Sequence, residues 1–468
     1  MVRPVFLSKA GARKVHRAAL RVLERTGIHL DHEEAVELCL VAGARRDADG
    51  RVVFPPKLVE KSLAGAPRQF QIFSRDGRRA MLLDDEHSYF GPGSDALYNV
   101  DRRTGRVRFS TLGDVADNVR VADALPSFDF VMSMALPRDV AAERLYPAVF
   151  AEMVKNTTKP IVTTLTTLAD LKRIHAMGAA VAGGREALRR KPFFIVYLEP
   201  ISPLRVERSI AERLLYCAEH GLPFLFAAGA NCGSGAPVTP EGAVVQGMAE
   251  SLAGLVLAFL KDPDVRFVFG ANNAAVDMRS SQVAYGAPEW SRTVAMYADL
   301  GRFHGRPSWG TAGCSDARVL DGQAAWEASE GILMAVQSRP TLVHDVGYLG
   351  CGSLYDARMV VLAEEMIRRA RHLMKAADLS PTALATDVID DVARGKGFYL
   401  GQRHTVEHYR AALWLPPEWL ARRRIELQGP PEKPLGERLG NEVRRILDEH
   451  RPAALDARKQ ARIDALLK

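Results

Sequence analysis

One pattern limits what this chain can fold into more than any other: an alternation between short apolar runs and longer amphipathic segments. The runs lie at residues 106–110, 128–134, 160–166, 193–199, 223–228, 266–270, 307–310 and 341–346. Segments of helical length, with apolar residues at helical spacing, follow them at 114–124, 142–156, 168–182, 206–220, 240–261, 288–304, 321–337 and 356–374. Runs this uniformly apolar are strands buried on both faces, as in a parallel sheet. Strands alternating with helices make βαβ units. Eight of each predict an α/β fold, a closed (β/α)8 TIM barrel over residues 96–376. A doubly wound open sheet is the alternative, but no GxGxxG follows a first strand.

The flanks have a different texture. Residues 1–95 mix three helices, the first two stopped by Gly27 and Gly43 and the third opened by Pro55-Pro56, with short strands, and predict an N-terminal α+β extension. Tyr98 opens a hairpin, YNVDRRTGRVRFS, with its turn at TG. Residues 377–468 predict a C-terminal helical extension, with one helix at 380–394 capped by Ser380-Pro381 and a charged last helical segment at 434–468. Within it, His404, Glu407 and His408 spell HxxEH, the letter order of an inverted zinc-protease motif; with no third ligand nearby, structural packing is the preferred reading and no metal is assigned.

Composition excludes several classes. The net charge of +7 is small for 468 residues, and the basic clusters, at 422–424 and in the last 35 residues, lack an aromatic-interleaved nucleic-acid module. Five widely spaced cysteines without CxxC point to a reducing compartment. The N-terminus has no apolar signal core, and the apolar run around 252–260 is short for a bilayer, so a cytoplasmic location is expected.

Chemistry-bearing residues concentrate in the two Gly-rich loops of residues 306–353, after the seventh and eighth runs. In a barrel these loops lie at the end where active sites form. Trp309, Cys314, His344 and Tyr348 stand there. Tyr197 and Glu199 end the fourth run, and Asn272 follows the sixth.

Across nearly its whole length the chain resembles the trimethylamine methyltransferase family, the corrinoid-dependent methylamine and betaine demethylases. The resemblance is carried in order by GPGSDALYNVDRRTG, LEPISPL at 198–204, GAPVTPEGAVVQGMAESLAGLVL at 235–257, DMR at 277–279, GAPEW at 286–290, CSDARVLDGQAA, HDVGYL at 344–349 and FYLGQRHTVEHYR at 398–410. It implies a barrel, and transfer of a methyl group from an amine to the cobalt of a corrinoid carried by a separate small protein, with no cofactor held tightly by the chain itself. The founding trimethylamine enzyme uses pyrrolysine; every residue here is standard, which turns the expectation toward a quaternary amine such as a betaine. HDVGYLGCGS is also shorter and richer in glycine than the usual continuation of that loop, implying a pocket that differs locally. A homo-oligomer is expected, with no nucleic acid and no membrane as partner.

A quaternary nitrogen has a permanent charge and no donor hydrogen, so aromatic faces and carboxylates hold it best. Tyr98, Tyr197, Trp309 and Tyr348 are the candidate rings and Glu199 the candidate carboxylate. Asn272, His344 and Arg279 are candidates for a substrate carboxylate, and Cys314 stands where a special residue would be useful. Two rival readings share these residues. GTAGCS and GYLGCGS could cradle a phosphate, making a lyase or isomerase with His344 as general base. The chain could also capture quaternary amines without catalysis.

Overall fold

The computed structural model describes residues 4–420, 422 and 432–467. Its centre is the expected (β/α)8 barrel. Strands Ile161–Thr163, Phe194–Leu198, Phe224–Ala228 and Phe267–Ala271 form one parallel array. Trp309–Thr311, Leu342–His344 and Tyr89–Phe90 form another. A single parallel bridge, Phe269 to Ser308, joins them on one side; on the other, Val131 bridges to Ile161 and brings in the remaining strand. The Asp129 N–H donates to the Phe90 carbonyl at 2.7 Å and closes the ring. Strands Phe224–Ala228 and Phe267–Ala271 are buried at every position, which explains their unbroken apolar sequence.

The first barrel strand is Tyr89–Phe90, and residues 106–110 are not part of the barrel. Val107–Phe109 instead pairs antiparallel with Tyr98–Val100 in a side sheet completed by Tyr348–Leu349 and Leu354–Tyr355. The reason is burial. Val107 and Phe109 are exposed, whereas Phe90 is 1% exposed and hydrogen-bonded into the barrel wall. A division after residue 95 therefore leaves the first barrel strand with the N-terminal segment.

The extension closes the far end of the barrel. The hairpin of Phe70–Phe73 and Arg79–Leu83 sets Phe70, Ile72, Met81 and Leu83 into one apolar cluster with the inward residues Phe130, Val162, Ile195, Leu225, Val268 and Leu342. Its backbone is tied to the starts of the strands, the Phe73 N–H donating to the Pro192 carbonyl at 2.8 Å. Helix Lys9–Arg25 packs on the barrel helix Pro240–Lys261. That helix contains the run around 252–260 and, at 22 residues, is apolar and long enough to cross a membrane; here most of it is buried inside the protein. Gly27 ends the turn after the first helix at φ +57°, where a Cβ would lie 2.1 Å from the Val52 carbonyl oxygen.

After the last barrel helix, Ala357–Leu373, the expected single helix at 380–394 is two, Pro381–Leu384 and Thr386–Ala393, meeting at Ala385 with φ 49°. Neither buries a residue, nor does Arg403–Ala412. Helix Leu435–Glu449 returns, setting Leu439, Val443, Ile446 and Leu447 against Ala357–Leu373 and Leu112–Ala124. Of the basic cluster 422–424, residues 423 and 424 lie outside the described residues.

Candidate active site

With one end plugged, the barrel opens at the other. A cavity of about 870 Å³ lies at the C-terminal ends of the strands. Alternation along each strand sets its floor: in Phe194–Leu198, Ile195 and Tyr197 both point inward, Ile195 deep and Tyr197 at the top. Trp309 fills the barrel axis below, fully buried, with its ring 5.6 Å from Tyr197 and 4.2 Å from His344. Gly270 makes room for it; a Cβ there would lie 2.7 Å from the Trp309 Cβ.

Four phenol or indole rings line the cavity beside the His344 imidazole: Tyr197, Tyr285, Trp290 and Tyr348. Tyr285 and Trp290 meet edge to face at 4.4 Å. Tyr197 accepts a hydrogen bond from Asn272 Nδ2 at 2.7 Å, and the Tyr348 hydroxyl donates to the Ser94 carbonyl. The Asn272 Oδ1 is buried without a partner.

Four carboxylic acids line the cavity: Glu207, paired with Arg205, and three that share one wall, Asp95, Glu199 and Asp345. Burial and the charges of Asp95 and Glu199 push Asp345 up to about 8. Burial raises Glu199 to about 7; water reaches it through the cavity, while protein encloses its other sides. Asp95 is raised to about 6 by burial, against the pull of hydrogen bonds from Thr164 and Ser94. No lysine or arginine forms an ion pair with any of the three among the described residues. Nor do they converge as a metal site: no such group of His, Cys, Asp and Glu occurs among the described residues.

His344 settles its own tautomer. Its Nδ1 lies 2.9 Å from the Gly310 carbonyl, which can only accept, so Nδ1 carries the hydrogen. Burial drops the imidazole to about 3, so it is neutral. Nε2 then carries no hydrogen and lies 3.2 Å from Asp345 Oδ2.

Backbone strain marks the same place. Asp95 and Asp345 both adopt left-handed φ, 62° and 64°, as does Cys351 at 57°. Such conformations persist in side-chain-bearing residues where surrounding contacts enforce them, often at functional sites. Gly93 permits the approach: a Cβ on it would stand 2.3 Å from Asp345 Oδ1 and 2.6 Å from the Tyr348 ring.

Of the residues marked in the sequence, Tyr197, Glu199, Asn272, His344 and Tyr348 line the cavity. Four do not. Trp309 lies beneath it. Cys314 faces a separate recess with Thr311, Gly313 and Glu327, its thiol held protonated by burial and by nearby acids. Tyr98 is on the surface hairpin, stacked on Phe109 at 5.3 Å, and the Arg279 side chain is 94% exposed, beside Asp277. His404 and His408 are also remote; His404 Nε2 lies 2.9 Å from the Thr382 carbonyl, and Glu407 pairs with Arg403. Sequence reading missed Asp95, Tyr285, Trp290 and Arg213. GPGSDAL and YGAPEW held the first three in plain view as loop motifs, but nothing in them said that they share a wall.

A parallel barrel whose open end gathers rings and acids in one cavity has the architecture of a small-molecule enzyme. The family is then given by comparison: the trimethylamine methyltransferase (MTTB) family profile matches residues 3–468, and the chain belongs to that family. It is a methyltransferase. Among its relatives, the trimethylamine methyltransferase MttB of Desulfitobacterium hafniense (strain DSM 10664 / DCB-2) is 28% identical over 85% of this chain and 80% of its own length. The glycine betaine methyltransferase of Desulfitobacterium hafniense (strain Y51) is 25% identical over 99% of this chain and 96% of its own. Among solved structures, the monomethylamine methyltransferase of Methanosarcina barkeri is similar in fold, with a TM-score of 0.51 at 12% identity over 95% of this chain and 88% of that one.

Proposed function

We propose that this chain takes a methyl group from a quaternary (or tertiary) amine such as a betaine and passes it to the cobalt(I) of a corrinoid carried by a small partner protein docked over the barrel mouth. One observation carries the reading: four rings and three carboxyl groups without a paired cation line a single open cavity. Rings and carboxylates are what attract a permanent cation, and they would disfavour an anionic substrate. The phosphate reading fails on that ground, and a neutral His344 near 3 is a poor general base at neutral pH.

The docked corrinoid supplies the nucleophile. The chain's own residues do the rest. Tyr197, Tyr285, Trp290 and Tyr348 offer ring faces and edges that fix the trimethylammonium group and exclude water from it. Asp95, Glu199 and Asp345 balance its charge as it enters, and Asp345 then releases its proton to water. The leaving group is a neutral tertiary amine, so no general acid is needed and the acids act by charge alone. Arrangement of the reacting groups is the main contribution of the site.

The test combines purified protein, chemically reduced cob(I)alamin and a panel of quaternary amines. Protein-dependent loss of the cob(I)alamin absorbance with at least one amine is expected. A blank panel, also blank with corrinoid proteins from methylamine systems, would refute the reading.

A further inference from the structure

We infer that Arg213 receives the anionic end of a zwitterionic substrate, so that the cavity is built for an ammonium carboxylate rather than for a plain cation. This rests on the reading above for the nature of the cationic end.

Arg213 sits in helix Arg208–Glu219, is 8% exposed and lines the same cavity as the rings and acids. Two of its three nitrogens are committed to the backbone. Nε donates to the Ser209 carbonyl at 2.8 Å and Nη1 to the Leu165 carbonyl at 2.6 Å. These bonds hold the guanidinium plane, while Nη2 makes no hydrogen bond among the described residues. The acid nearest in influence is Asp170, but its carboxylate is spent capping helix Leu168–Ala182, accepting from the Thr167 N–H and hydroxyl. An enclosed guanidinium held in place and left without a paired anion is costly. The cost is explained if an anion arrives with the substrate.

The acids do not supply that anion: Glu207, which also lines the cavity, is paired with Arg205 at 3.4 Å. Asp345 feels Asp95 and Glu199, yet Arg213 is not among the charges that act on any of the three. The cavity therefore has two electrostatic regions, an acidic aromatic one and a single guanidinium edge. A molecule with a trimethylammonium at one end and a carboxylate at the other satisfies both. A plain cation leaves Nη2 unused, and an anion without the ammonium meets the acids. Arg279, the arginine marked for this role in the sequence, points to solvent instead.

The experiment compares trimethylglycine and longer trimethylammonio carboxylates with choline and tetramethylammonium, in calorimetric binding and in cob(I)alamin consumption, using the wild type, R213M and R213K. The wild type should prefer at least one zwitterion to choline. R213M should reduce that preference roughly ten- to hundredfold, the loss of a charge-assisted hydrogen bond, through KM rather than kcat, and R213K should restore part of it. Equal losses for zwitterions and choline in R213M would overturn the inference. So would a wild type that binds choline better than every zwitterion, a result that needs no variant to fold. Zwitterion binding that depends on Arg213, without methyl transfer, would support the inference while sinking the proposed reaction. Methyl transfer from choline alone would do the reverse.

Discussion

The two ends of the barrel are made from the same strands and have opposite chemistry. At the N-terminal end, Phe70, Ile72, Met81 and Leu83 plug the interior with apolar side chains at 8% exposure or less. At the other end the strands run out into Asp95, Glu199, Asn272 and Asp345, with strained φ angles, an orphaned Asn272 Oδ1 and acids without cations. The plug follows every rule of a stable core; the mouth breaks several within one cavity. Stability is concentrated at the closed end, and the open end is organised for a ligand that the chain alone does not provide.

The comparison can be broken by mutation. Ile72→Ala, fully buried in the plug, should cost about 2–5 kcal/mol in denaturant unfolding while leaving the preference among amines unchanged. Gly93→Ala pushes a methyl into Asp345 and the Tyr348 ring, and should lower methyl transfer on the order of a hundredfold with a smaller loss of stability. Equal damage to folding from both variants would erase the distinction between the ends.

Acidity sharpens it further. Asp345 and Glu199 have folded values near 8 and 7, above the ordinary carboxyl range, so the native protein holds protons that the unfolded chain has released. Their stabilising contribution is complete below about pH 4 and is lost as pH rises through about 8. The buried Asp345 alone should therefore cost the unliganded protein on the order of 2 kcal/mol between pH 6 and pH 8, with the solvent-reached Glu199 adding less, and Asp345→Asn should flatten that slope, as read by thermal unfolding across pH. The smallest effect is expected at the exposed tail: His404→Ala and His408→Ala should change stability by less than about 0.5 kcal/mol, with no response to chelators in the activity assay.

Much of the barrel was legible because burial wrote it into the strands. Helices Leu168–Ala182, Pro240–Lys261 and Pro288–His304 match the sequence expectation end to end, their starts fixed by Thr167 or by prolines at the first turn. Residues 88–91 read as a short strand of the extension; their place in the barrel was hidden because only two residues, Tyr89 and Phe90, make ladder contacts. Residues 106–110 looked like a strand and are one, but on a surface hairpin; alternation alone does not say which sheet a strand joins. At the site, strand-end residues such as Tyr197, Glu199 and His344 could be placed by their position in a repeating unit. Arg213 could not, since a helix gives no sign of which arginine turns inward and lacks a carboxylate. Asp95 and Asp345 meet only through tertiary approach over Gly93.

The central claim is that the mouth is a cup for a permanent cation. Calorimetric titration of the protein with trimethylglycine at pH 7.5, repeated in buffers of different ionisation enthalpy, tests it most directly. An arriving ammonium must drive Asp345 and Glu199 toward their ionised forms, so binding should release a measurable fraction of a proton, and Asp345→Asn should reduce it. Binding with no proton released, or with protons taken up, would contradict the account.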